Sequence, residues 1–201
     1  MSRIDDLIQE LCPAGVERKP IWSVTFWDKN FHEVDSYKQP QVEKYPYVLA
    51  AELKSLAVDG ANEVRLLATS ENYIKWTTKE LAGESISEGE IIAIPWGGTA
   101  QVQYFNGFFV TADNRIATSR DINVLSNKFL YYLMLNELEL IGTYYRGSGI
   151  KHPSMKKVLD INIPVPPLEV QREIVSILDK FTELEAELEA ELRLVLSNIS
   201  T

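Results

Sequence analysis

Ile163-Pro164-Val165-Pro166-Pro167-Leu168-Glu169-Val170-Gln171-Arg172-Glu173-Ile174-Val175-Ser176-Ile177-Leu178-Asp179 is the stretch on which the reading of this chain turns. Each proline pushes the residue before it out of helical geometry, so the segment up to Pro167 is extended. Past it the apolar residues change period. Ile174, Ile177, Phe181, Leu184, Leu188, Leu192, Val195 and Ile199 step by 3, 4, 3, 4, 4, 3 and 4. That is the a/d seam of a coiled-coil helix with one four-residue stutter, flanked by Glu and Arg. About 32 residues of helix would run roughly 48 Å. The other readable helices span about 10 and 15 residues, too short to cover such a seam. A second subunit is therefore expected, giving a homodimer with Ile174, Ile177, Phe181, Leu184, Leu188, Leu192 and Val195 as dimerisation residues. The alternative is a seam folded back on its own domain, at least over its first half.

Outward from the junction, residues 1–163 read as one globular domain and 164–201 as proline junction and long helix. Residues 2–11 form a short helix: Ser2 and Asp5 fit a capping box, and Ile4, Leu7, Ile8 and Leu11 keep a helical period. Cys12-Pro13-Ala14-Gly15 ends it. Strand-like runs follow at Val64–Thr69, Ile91–Pro95, Phe108–Thr111 and Arg115–Ala117, with Asn106-Gly107 read as a hairpin turn. Ser126–Leu140 is helical, capped by Ser126, with Phe129, Leu130, Leu133, Met134 and Leu138 in register. The expected class is α+β: a globular mixed α/β domain followed by a long C-terminal coiled-coil helix.

The net charge of −9 over 201 residues argues at first against a polyanionic partner, because nucleic-acid binders displace counterions with basic surface. The acid is concentrated, however. Residues 168–201 hold eight acids and three bases, which is −5 and leaves −4 on residues 1–167. No apolar run approaches the ~20 residues needed to span a bilayer. Met1-Ser2-Arg3-Ile4-Asp5-Asp6 lacks a signal peptide's apolar core, and the one cysteine, Cys12, reads as a packing residue in a reducing compartment. These features point to the cytoplasm and to no membrane.

The junction resembles the segment that leads from a target-recognition domain into the conserved helix of type I restriction–modification specificity subunits. A proline pair, Leu, an acid, Gln, a basic residue, Ile and Leu carry that likeness. Gly89-Glu90-Ile91-Ile92-Ala93-Ile94, Trp96-Gly97-Gly98-Thr99-Ala100, Lys128-Phe129-Leu130-Tyr131-Tyr132-Leu133 and Gly147-Ser148-Gly149-Ile150 fall in that family's order. Full-length members carry two recognition domains and two helices that act as a ruler between half-sites. This chain is read as a half-length form, either natural or a truncated piece. After Leu192 the family's basic, Tyr-rich continuation is replaced by Arg193-Leu194-Val195-Leu196-Ser197-Asn198-Ile199-Ser200-Thr201. The resemblance implies double-stranded DNA and modification (methyltransferase) subunits as partners, with restriction subunits where the host has them. S-adenosylmethionine, ATP and Mg would sit on those partners, leaving this chain without a cofactor.

Three segments have the chemistry to meet DNA. Lys75-Trp76-Thr77-Thr78-Lys79 interleaves bases, hydroxyls and an aromatic ring; Lys75, Trp76, Thr77 and Lys79 are the candidates, a solvated loop the alternative. Gly97, Gly98, Thr99 and Gln101 follow a strand, and Gln101 can pair bidentately with adenine, although the glycines equally suit a tight turn. Arg146, Ser148, Lys151 and His152 lie in a Gly-rich loop able to hold a phosphate, with His152 equally a loop or cap residue. No Gly-x-x-x-x-Gly-Lys-Ser/Thr or Gly-x-Gly-x-x-Gly motif, methyltransferase motif or nucleophile set is present. Glu52-Leu53-Lys54 has nuclease-like spacing without the preceding prolyl-aspartate. Neither catalytic residues nor a metal site is expected. Two rivals stand beside this reading, a small nuclease or methyltransferase–nuclease fragment and an acidic protein-binding adaptor or inhibitor.

Overall fold

A computed structural model describes residues 3–70 and 72–199, the side chains of residues 194 and 197–199 excepted. The chain divides into two compact units, Glu17–Val165 and a second made of residues 1–16 with 166–201. The expected division is at 163/164; here the boundary lies at 165/166, and the first helix groups with the last, not with the sheet.

In the first unit the strands are β1 (Arg18–Pro20), β2 (Thr25–Trp27), β3 (Val64–Leu67), β4 (Lys75–Thr77), β5 (Ser87–Pro95), β6 (Gln103–Thr111), β7 (Asn114–Ser119), β8 (Tyr145–Arg146), β9 (His152–Pro153) and β10 (Asn162–Pro164). With the N-terminal α1 (Arg3–Leu11) counted first, its helices are α2 (Ile21–Val24), α3 (Ala50–Ser55), α4 (Lys79–Ala82), α5 (Asn127–Asn136), α6 (Leu138–Thr143) and α7 (Met155–Leu159). Six strands form one mixed sheet in the order β2-β7-β5-β6-β3-β4, antiparallel except for the β3–β6 pair. Two short ladders, β1–β10 and β8–β9, stand apart from it.

Alternation along the strands fills both faces. Val64 and Leu66 with Val110 and Ala112 join Val48, Leu53 and Ala82 in one cluster. Their neighbours Leu67 and Phe109 point the other way, into a cluster with Ile91, Ala93 and Ile116. Central β5 is buried from Ile91 to Pro95, which is why that run is continuously apolar. Helix α5 packs on β5, β6 and β7 and buries Phe129, Leu130 and Met134.

The sheet curls on itself. Asn114, opening β7, donates its side-chain amide to the Leu67 carbonyl oxygen at 2.9 Å, although β5 and β6 lie between those strands in sheet order. Asn106-Gly107 takes part in this curl and is not a turn. It lies inside β6, with Gly107 opposite Gly89 at φ +137°, a conformation that favours glycine. The connection between β5 and β6 is residues 96–102. The helix expected over Ser126–Leu140 is also two elements, since Glu137 leaves helical geometry (φ −90°, ψ 9°) between α5 and α6. Its predicted start holds: Ser126 Oγ accepts from Phe129 N–H at 3.1 Å.

The second unit pairs α1 with α8 (Leu168–Ile199), a single 32-residue helix. α1 packs along the first part of α8, and Arg3 Nε lies 3.4 Å from Glu173 Oε2. Ile4, Leu7 and Ile8 are half-buried. The Ser2 cap expected for α1 lies outside the described residues. At the junction the Pro167 carbonyl accepts from Val170 N–H at 3.0 Å, and Gln171 Nε2 donates to the Pro166 carbonyl at 2.7 Å. The last proline thus closes the first helical turn, a position where its missing N–H costs nothing. Among the described residues no helix is long and apolar enough to cross a membrane.

Candidate nucleic-acid interface

Two of the three expected segments are brought together, and the bonds that join them are non-local. Buried Tyr145 donates its hydroxyl to the Pro95 carbonyl at 2.7 Å. His152 Nδ1 lies 2.7 Å from the Trp96 carbonyl oxygen; an oxygen that can only accept requires Nδ1 to carry the proton. Gly98 N–H donates to the Lys151 carbonyl at 2.9 Å. Gly97 completes the junction by its lack of a side chain, since a Cβ there would come within 2.8 Å of Ile150 Cγ2. The β8–β9 hairpin is therefore stitched along residues 95–98.

Gly147 makes the hairpin possible. Its φ is +146°, and a Cβ would meet the Ile150 carbonyl oxygen at 2.7 Å. Arg146, Ser148, Lys151 and His152 are all exposed on this hairpin. Arg146 and Lys151 form no ion pair among the described residues. Gly98 and Thr99 are exposed beside them. The tip is thus cationic, solvent-facing and backed by a rigid strand end.

What holds that strand end is Arg115, which a reading of the sequence as a strand residue overlooked. Its side chain is only 6% exposed and lies 3.3 Å from Asp113 Oδ1, donating also to the Asn114 carbonyl at 2.8 Å. The guanidinium stacks 4.1 Å from the Trp96 ring centroid, and the Trp96 and His152 rings lie 5.2 Å apart. Burial lowers the Arg115 pKa, opposed by the nearby carboxylates of Asp28 and Asp113. Arg115, Trp96 and His152 form one stack from sheet to hairpin, with the cation–π attraction strongest where it is driest.

Other candidates take different places. Gln101 donates its amide to the Thr69 carbonyl at 3.2 Å, so reading a base would require it to leave that bond. Lys75, Trp76 and Thr77 form β4, the sheet's edge strand. Lys75 Nζ is 3.1 Å from Asp59 Oδ1 in an exposed pair of little energetic weight. Trp76 stands edge-on to Phe105 at 6.0 Å and under Arg65 at 5.7 Å. Lys79 Nζ lies 3.7 Å from the Phe108 ring centroid. Among the described residues the hydrogen bonds of this segment to other elements run to Val58, Asp59, Glu63 and β3, not to either loop. Thr77 is a correction: it is fully buried and cannot touch a duplex on this surface. Its Oγ1 has no hydrogen-bond partner among the described residues. Thr77→Val is expected to raise stability by about 1 kcal/mol in a urea melt, with DNA affinity unchanged; a lowered midpoint or weakened binding would contradict this placement.

Along α8, Ile174 and Ile177 are half-buried, whereas Phe181, Leu184, Leu188, Leu192 and Val195 are 61%, 53%, 63%, 58% and 53% exposed. The seam is covered at its start, where α1 packs, and open beyond it. The side chain of Ile199 lies outside the described residues. Among the described residues no group of three or more His, Cys, Asp or Glu could hold a metal ion. Glu52-Leu53-Lys54 falls in α3 with Leu53 in the core.

A curled mixed sheet displaying stitched loops makes one unit, and a long helix with α1 the other. Residues 32–197 match the family of the type I restriction modification DNA specificity domain, and the chain belongs to that family. It is 26% identical over 113 residues to the MjaVIII specificity subunit of Methanocaldococcus jannaschii, covering 56% of this chain and 26% of that protein. It is 33% identical over 104 residues to a protein of Haemophilus influenzae provisionally named a type I specificity subunit, covering 50% and 26%. The matches span about a quarter of those relatives' length. In fold it is similar to the S subunit of a type I system from M. genitalium (TM-score 0.59, 18% identity, 87% of this chain and 41% of that one). The HsdS subunit of Thermoanaerobacter tengcongensis is similar as well (TM-score 0.53, 14% identity, 93% and 44%).

Proposed function

We propose that this chain is a non-catalytic component that sets the DNA sequence acted on by a type I restriction–modification system in the cytoplasm. The observation that carries the reading is the β8–β9 hairpin: Arg146 and Lys151 stand exposed, without acid partners among the described residues, on a hairpin fixed against the Trp96 loop. Fixed donors can report base identity because register is set before the bases are met, while phosphate bonds position the whole. The exposed stripe from Phe181 to Val195 takes a second copy, each chain reading one half-site. Two-fold symmetry in the protein then requires an inverted-repeat target with a fixed gap. The assembled dimer recruits modification subunits that methylate adenine using S-adenosylmethionine, and restriction subunits that use ATP and Mg where these exist.

Because the chemistry belongs to the partners, calorimetry of the chain alone with S-adenosylmethionine is expected to give no saturable heat. Saturable binding would overturn the non-catalytic assignment and favour the methyltransferase–nuclease fragment. Binding to a protein partner with no dependence on DNA would favour the adaptor.

A further inference from the structure

We propose that the cleft at the foot of the β8–β9 hairpin is a second phosphodiester-binding site, which holds the backbone of the duplex read by the hairpin through Lys156, Lys157 and Arg18. The inference rests on the DNA-reading function above. It starts from a sequence feature: residues 140–159 contain no Asp or Glu but carry Arg146, Lys151, Lys156 and Lys157, in a chain of net charge −9. The fold divides these four cations between two places. Arg146 and Lys151 stand on the hairpin, and Lys156 and Lys157 are exposed on α7.

The two places adjoin. Tyr144 and Ser154, immediately outside β8 and β9, are joined by Ser154 N–H to the Tyr144 carbonyl at 3.0 Å. Both line an open cleft of about 690 Å³ together with Arg18, Lys156, Lys157 and Asn162. Lys157 Nζ lies 5.3 Å from the Tyr144 ring, held against the wall by its aromatic face. Two acids, Glu137 and Asp160, also line the cleft. Asp160 is already neutralised by Lys38 Nζ at 2.5 Å, and Glu33, beside the cleft, accepts from Ser154 Oγ and Lys156 N–H, which leaves three cations against two carboxylates. Neither Lys156 nor Lys157 has an ion-pair partner among the described residues. Ser154 Oγ donates to Glu33 Oε2 at 3.3 Å, so the ammonium groups of Lys156 and Lys157, with the Arg18 guanidinium, are what suit a phosphate oxygen better than an apolar or cationic ligand.

Reach is adequate for one duplex. Lys151 and Lys156 are five residues apart, so their Cα atoms are at most about 18 Å from one another, roughly five steps of a DNA strand at ~3.4 Å each. Binding at both places would engage more phosphates without adding base readout. The expectation is thus a change in affinity and salt dependence that is the same for every sequence.

The test uses the full chain, a fluorescent random-sequence duplex and anisotropy across a salt series. Lys156→Ala/Lys157→Ala is expected to lower the log–log salt slope by about 0.9 for each phosphate no longer neutralised, and Lys156→Arg/Lys157→Arg to keep it. Both lysines are exposed, and matching thermal melts confirm that the variants fold. An unchanged slope in the alanine variant, alongside a reduced one in Arg146→Ala/Lys151→Ala, overturns this site and leaves the hairpin reading intact. No duplex binding by the parent chain even at low salt overturns both. Loss of a modification subunit from the alanine variant with the DNA slope unchanged also overturns it, making the cleft a protein-docking surface.

Discussion

Leu184→Glu/Leu188→Glu is expected to convert a particle of twice 22.8 kDa into one of 22.8 kDa in light scattering. The seam side chains Phe181, Leu184, Leu188, Leu192 and Val195 are all more than half exposed, a contiguous stripe of a kind that marks an interaction surface. Burying each leucine against a partner stabilises association by about 1.5–3 kcal/mol. The substitution removes two per chain, four in the dimer. It also places four carboxylates in a seam already flanked by Glu183, Glu185, Glu187 and Glu189, where like charges repel. Because both positions are exposed in the single chain, the sheet unit should melt as before. An unchanged dimer mass would put the interface elsewhere, and a monomeric parent chain would remove the need for it.

The second large effect is at the hairpin. Arg146→Ala/Lys151→Ala leaves Gly147 and the bonds to residues 95–98 in place, so the loop keeps its shape without either charge. If both neutralise phosphates, the salt slope falls by about 1.8, and affinity drops alike for all sequences. If Arg146 reads a guanine edge, one target position is relaxed, at a cost of ~1–3 kcal/mol. A double variant that modifies the same sites at the same rate and salt dependence would make the hairpin structural. The DNA surface would then be sought around Lys75 and Lys79.

The parts of the fold that a sequence displays locally were legible. Three prolines followed by a 3-4 apolar period define α8 from Leu168 onward because both signals are local. Ile91–Pro95 reads as a strand because a central strand is buried on both faces. Asn106-Gly107 misled because glycine serves a tight turn and a curled ladder equally well, and only the facing Gly89, far away in sequence, decides between them. Glu137 carries no breaker signal, so the α5–α6 break was not readable. At the site, the composition of 146–152 pointed to an exposed cationic loop. Its pairing with the Trp96 loop depends on Tyr145, His152 and Arg115 meeting residues 19 to 56 positions away, which no local pattern encodes. Thr77 was misplaced for the same reason: its exposure depends on whether β4 lies over the core, which five residues of sequence do not report.

The proposed choice of DNA sequence by this chain on behalf of a partner enzyme is tested by mapping methylated adenines genome-wide in cells that express a cognate modification subunit with and without this chain. Methylation is expected at one gapped inverted-repeat motif, present only with the chain and abolished by Leu184→Glu/Leu188→Glu. Methylation at the same sites in its absence, or at a contiguous or asymmetric motif in its presence, would contradict it.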